Sequence, residues 1–142
     1  MLGDLLVEYD LLFKINFIST SVMSGVIWVI QLLHYPSFHF INEKKYVEFQ
    51  HFHMERISFI VIPVMIIELT SALLLVYFFR SSLTIILLAF LLGIWGITFI
   101  FFTNIHQKLT NGYDYSIVDR LVQINWYRTA LWSLRFIILL SI

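Results

Sequence analysis

The chain has 142 residues, of which 60% are hydrophobic and 13% charged, with no net charge and no cysteine; its mean hydropathy is +0.87. Soluble domains carry about 25% charged residues, and a small monomeric globule cannot hide this much apolar surface, so the composition points to lipid as the solvent and to one domain over residues 1–142. Zero net charge argues against nucleic acid as a partner. The absence of cysteine excludes disulfides, iron–sulfur clusters, thiolate zinc sites, haem attached through Cys-x-x-Cys-His and a cysteine nucleophile.

In chain order, the first ten residues hold Asp4, Glu8 and Asp10 and no basic residue, so the first apolar run reads as a retained helix rather than a signal peptide. Residues 15–33 are uncharged and form the first predicted span, which Pro36 stops. Residues 43–55 mix charges with aromatics and read as a short interfacial helix running into the second span. Residues 57–79 form the second span, with Glu68 as its one charge and Pro63 as an expected kink. Arg80-Ser81-Ser82 is a tight turn into an uncharged third span over 81–103. The connection over 106–116 holds the turn dipeptide Asn111-Gly112. Residues 121–142 form the fourth span despite Arg128 and Arg135, each costing about 2.5–3.5 kcal/mol on insertion scales.

The predicted fold is therefore all-α, an integral membrane four-helix bundle with a short interfacial helix between spans one and two. Connections one and three hold Lys44, Lys45, Arg56, Lys108 and Arg120, against Lys14 and Arg80 on the opposite side. The positive-inside rule then places both termini outside the cytoplasmic membrane. Homo-oligomerisation stays open.

At 100° per residue, Ser24, Trp28, Gln31 and His34 share a stripe on span one, and Asn125, Arg128, Thr129, Trp132 and Arg135 share a face of span four. With His51, His53, Arg56, Asn104 and His106, all four helices bring polar groups to the connection-one end. Glu68 is expected to pair with Arg128 or Arg135, because a lone carboxylate in hydrocarbon protonates or pairs. Arg135 could equally snorkel to the outer face, and His51 and His53 could simply be solvated at headgroup level. Glu48 and His51 form a single Glu-x-x-His pair where a di-iron bundle needs two. A metal held across helices by His34, His53, His106 and Glu68, or a haem between His34 and His106, is open, and the cofactor stays unknown.

Trp28, Gln31, His34-Tyr35-Pro36, Phe38, His53, Arg56, Pro63, Met65, Glu68, His106, Gly112, Asp114 and the run Leu121-Val122…Asn125-Trp126…Arg128-Thr129…Trp132…Arg135 carry a pattern over nearly the whole chain. It resembles a family of small bacterial four-helix integral membrane proteins. Members carry proline two residues before the span-three histidine, where this chain has Asn104. The layout is more distantly similar to the anthrone-oxygenase-like membrane family, whose named members oxygenate a polycyclic aromatic. The resemblance implies an aromatic or quinone-like ligand at the helix ends.

Two functions follow. The first is a membrane enzyme, an oxidoreductase acting on a lipophilic aromatic or quinone-like molecule. In it Arg128, Asn125 and Gln31 hold a carbonyl or oxyanion, His53 or His106 moves a proton, and Tyr35 and Trp126 flank the ring. His34, Arg56, Glu68 and Arg135 complete its expected binding positions. The second is a non-enzymatic module binding lipid or a partner helix, whose polar stripe only locks the bundle.

Overall fold

Apolar runs without internal charge satisfy their backbone most simply as long helices, and the computed structural model bears this out. It describes residues 2–142 and the side chains from residue 7 onward, so the side chain of Asp4 lies outside the described residues. The described residues contain no strand. Helix α1 (Leu2–Val29) widens into a π-helical turn over Ile30–His34, and a 3-10 turn follows over Pro36–Phe40. Helix α2 (Glu43–Phe79) is followed by α3 (Ser82–Ile97), which passes through a second π-helical turn (Thr98–Phe102) into α4 (Thr103–Leu109). Helix α5 (Tyr115–Leu140) ends the chain. With α3 and α4 forming one rod, four long helices result. Helix α1 packs on α2 and α5, and α3 packs on the same two, which closes a four-membered ring.

Caps mark the breaks between these elements. Asn42 accepts from the Lys44 N–H at 3.0 Å to start α2. Ser81 and Thr84 form a reciprocal capping box at the start of α3. Asp114 accepts from the Ile117 N–H at 3.1 Å and from the Ser116 hydroxyl at 2.7 Å. Those donors hold its carboxyl below the ordinary value, so this support for α5 is present in the neutral range and fades as pH falls through the depressed value.

Two expectations are corrected. Residues 43–55 are not a separate interfacial helix, because they form the first turns of a helix that continues unbroken to Phe79; their Lys and Glu side chains face out while Tyr46, Gln50 and His53 are buried, so one continuous stripe faces the bundle. The third helix reaches Leu109 rather than ending at Thr103. Three helical stretches, Val7–Phe40, Glu43–Phe79 and Ser82–Leu109, are long and apolar enough to cross a membrane, whereas α5 is not among them. Helix α5 carries Asp119, Arg120, Arg128 and Arg135, and turns both central arginines into the bundle while Leu134, Ile137 and Leu140 stay outside.

Glu68 and Arg135 are both fully buried and form an ion pair, Nε to Oε1 at 3.2 Å. Thr20 donates to the same Glu68 oxygen at 2.7 Å, and the Trp132 indole donates to the other at 3.1 Å. Arg135 also donates to Asn16 at 3.2 Å, to Thr20 at 3.3 Å and to the Leu87 carbonyl. Every helix of the ring contributes, and Arg135 does not snorkel, because an acid at its own depth holds it. Glu68→Gln leaves the guanidinium buried and unpaired and should cost about 3–5 kcal/mol. In a double-mutant cycle by unfolding in detergent, Glu68→Gln with Arg135→Gln should lose less than the sum of the singles by about 1–3 kcal/mol; additive losses would show that the two do not interact.

Candidate functional site

A cavity of about 650 Å³ opens between α2 and the α3–α4 rod. Its walls are mostly apolar, from Ile30, Ile57, Val61, Met65, Phe99 and Phe102, and its polar groups are Tyr35, His53, Trp95, His106 and Arg128, with Ser58, Gln107 and three threonines near them. Ile62, Ile66 and Phe99 stand at its mouth, each about half exposed or more.

The two π-helical turns lie at the depth of this site. In the first, the Tyr35 N–H reaches back five residues to the Ile30 carbonyl at 2.9 Å. Such a turn holds one more residue than a regular one and rotates everything after it. Gln31 accordingly faces α5, while His34 and Tyr35 turn toward α2 and α4. His34 Nε2 lies 2.6 Å from His53 Nδ1, and the Tyr35 hydroxyl lies 3.3 Å from His106 Nε2. The Gln50 amide nitrogen donates to His106 Nδ1 at 3.0 Å. A neutral His106 that accepts at Nδ1 carries its proton on Nε2, the nitrogen that faces the Tyr35 oxygen. The His53 and His106 rings are 5.4 Å apart.

Arg128 is 5% exposed and has no acid in reach among the described residues. Its guanidinium lies over Phe102 at 4.3 Å and Trp132 at 5.2 Å, so ring faces supply part of the electrostatic support that a carboxylate gives Arg135. One nitrogen makes a long hydrogen bond to Asn125 at 3.5 Å, and Nε has no partner. Among the described residues, five buried side-chain polar atoms lack a partner; three of them, Arg128 Nε, His53 Nε2 and Trp95 Nε1, belong to residues lining this one cavity. Natural interiors leave few such atoms unsatisfied, and three of the five fall around one cavity.

The residues expected at a site divide into groups. Tyr35, His53, His106 and Arg128 meet in the cavity wall, with His34 directly behind His53. Gln31 and Asn125 are buried at the seam of α1 and α5, where Asn125 donates to Gln31 at 2.9 Å and Gln31 donates to the Val122 carbonyl at 3.3 Å. They brace Arg128 rather than line the cavity. Glu68 and Arg135 belong to the ion-pair network. Arg56 is exposed, over Phe52 at 5.6 Å. Trp126 is half exposed, edge-on to Trp28 at 5.8 Å, and away from the cavity, so it does not flank a ligand there.

His53 is buried rather than solvated, whereas His51 and Glu48 are exposed. No group of three His, Cys, Asp or Glu placed to hold a metal ion occurs among the described residues, and Glu68 stands ~22 Å along α2 from His53, too far to join the histidines. His34 sits behind His53 and outside the cavity, so His34 and His106 do not face each other across a space for haem. Trp95, Phe102 and Gln50 enter the site without having been expected. Trp95, Phe102 and His106 recur at helical spacing, which was the available signal; Gln50, one turn before His53, was another.

A buried cation without an acid costs stability, and here two ring faces and one long hydrogen bond to Asn125 support it. Arg128→Met should therefore raise the unfolding midpoint in detergent, by about 1 kcal/mol or more. A lowered midpoint would mean that Arg128 holds the bundle together. No protein-family model, curated protein or solved structure matches this chain.

Proposed function

We propose that this chain is an integral membrane protein of the bacterial cytoplasmic membrane. All four helices cross the bilayer, both termini lie outside, and the cavity binds, and on the family resemblance oxidises, a lipophilic aromatic or quinone-like molecule. The inverted distribution of polarity supports the membrane reading. Phe59, Ile62, Ile66, Tyr77, Ile85, Leu92, Ile100 and Ile137 are exposed, while Asn16, Gln31, Glu68, Asn125 and Arg135 are buried. Water would not leave such an exterior uncovered, and hydrocarbon favours it. Exposed Lys44, Lys45, Arg56, Lys108 and Arg120 gather at the connection-one end and support the orientation.

The observation that carries the ligand reading is Arg128, a buried cation with no acid, facing an otherwise apolar cavity of about 650 Å³. That volume lies within the roughly 300–1,000 Å³ of small-molecule sites. The apolar walls suit a ring system, and the unpaired donors suit an oxygen on it. A quinone or phenolate oxygen would accept from Arg128, with His53 and Trp95 offering further N–H groups.

The test uses 1,4-naphthoquinone and the purified protein in mild detergent, followed by quenching of tryptophan fluorescence and by equilibrium dialysis. The wild-type chain should bind, and Arg128→Lys should weaken binding about 10-fold or more, since a hydrogen bond to a charged group contributes about 1.5–3 kcal/mol. Naphthalene, which has the ring but no oxygen, should bind both chains alike. Equal naphthoquinone affinity in Arg128→Lys, or no binding by the wild type, overturns the ligand reading and favours the packing module. The orientation has its own check: a reporter active only in the cytoplasm, fused after Ile142, should be silent.

A further inference from the structure

His53 is engaged at one ring nitrogen and free at the other. Nδ1 is 2.6 Å from His34 Nε2, while Nε2 is buried without a partner on a residue that lines the cavity. His34 is half buried and lines a second groove, of about 550 Å³, that runs between α1 and α2 past Ser21, Gly25 and Ile60. Ile30 and Ile57 line both spaces. The His34–His53 pair therefore stands in the partition between the ligand cavity and the outside of the bundle, with a hydrogen bond across it.

We propose that His34 and His53 form a proton path between the surrounding solvent and an oxygen of the ligand held in the cavity; this rests on the ligand reading above. A proton leaves His53 Nε2 for a phenolate or enolate oxygen. His34, half buried at the connection-one end of the first span, passes its Nε2 proton to His53 Nδ1 and regains one at Nδ1 from a hydronium ion in the water at that end. One proton crosses the partition, the oxygen loses its negative charge, and no electron moves.

The surroundings of His53 favour transfer through the ring over charge storage on it. Phe38 from the 3-10 turn and Phe49 from α2 pack against it at 5.0 and 6.4 Å between ring centres. The titratable and charged groups around it are His34 and Tyr35 from the end of α1, His106 from α4 and, on the cavity wall, Arg128 from α5. None is an acid, and Arg128 is positive, so an imidazolium resting on His53 would be destabilised. A ring that receives at one nitrogen while it donates at the other avoids that state. Tyr35 and His106 have their own hydrogen bond and Gln50 beneath it, which leaves His53 as the histidine with a nitrogen free for the ligand.

The experiment uses 4-nitro-1-naphthol, whose colour reports its protonation, at a concentration that saturates the purified protein, with the bound fraction measured by dialysis. A stopped-flow jump to lower pH reads the rate at which bound naphtholate takes up its proton. His34→Ala should slow that rate on the order of 10-fold or more, and free imidazole in the buffer should restore it. His34→Gln, which fills the space without carrying protons, should be as slow and should not respond to imidazole. A wild-type rate in either variant, or a slow His34→Ala that imidazole leaves unchanged, overturns the path while leaving the ligand site standing. A wild-type chain that does not bind the naphthol overturns the ligand reading itself, and the path with it.

Discussion

The bundle depends on one buried ion pair. Glu68 and Arg135 have no exposed surface, and in such surroundings a charge persists only when its opposite and enough hydrogen bonds stand beside it. The structure provides both, from Thr20 and Asn16 on α1, Trp132 on α5 and the Leu87 carbonyl on α3. Apolar contacts between helices are non-directional, and in lipid they are little better than contacts with acyl chains. The ion pair is directional, so it fixes rotation and depth for all four helices at once. Everything at the other end of the bundle inherits that register.

Helix α5 carries two buried arginines one heptad apart with opposite circumstances. Arg135 has its hydrogen bonds met, and its charge is balanced inside the molecule. Arg128 keeps a free Nε, faces two ring systems and borders a cavity. The same residue type on the same helix face thus serves to organise the fold at one level and to stay available at another. The difference lies in the opposing helices: α2 brings an acid to the level of Arg135, while near Arg128 the rod of α3 and α4 brings Phe102 and His106.

Much of this was legible in the sequence. Glu68 is the one acid within its apolar run, and cations at compatible depth were few, so an ion pair followed from the cost of the alternatives. The meeting of His34, His53, His106 and Arg128 followed from polar residues gathering at one end of four apolar runs. Phase was not legible beyond a π-helical turn. A regular 100° projection puts His34 on one stripe with Trp28 and Gln31, but the wide turn at Ile30–His34 sends Gln31 to α5 and His34 to α2. Nothing in residue type announces such a turn. Trp126 was misplaced because a tryptophan beside Asn125 and Arg128 shares their sequence neighbourhood but not their helix face, and Trp95 was overlooked because an aromatic in an apolar run looks like any other packing residue.

The mouth of the cavity, between Ile62, Ile66 and Phe99, changes what affinity means for this protein. On the membrane reading these side chains border acyl chains, so a ligand arrives after dissolving in lipid and searches a thin layer rather than a volume. Occupancy is then governed by the ligand's mole fraction in the bilayer. A molecule that partitions strongly can fill the cavity through a modest intrinsic interaction, because the bilayer concentrates it around the mouth. Selectivity between equally greasy molecules falls to the few donors on the inner wall, because apolar contacts are available everywhere along the route.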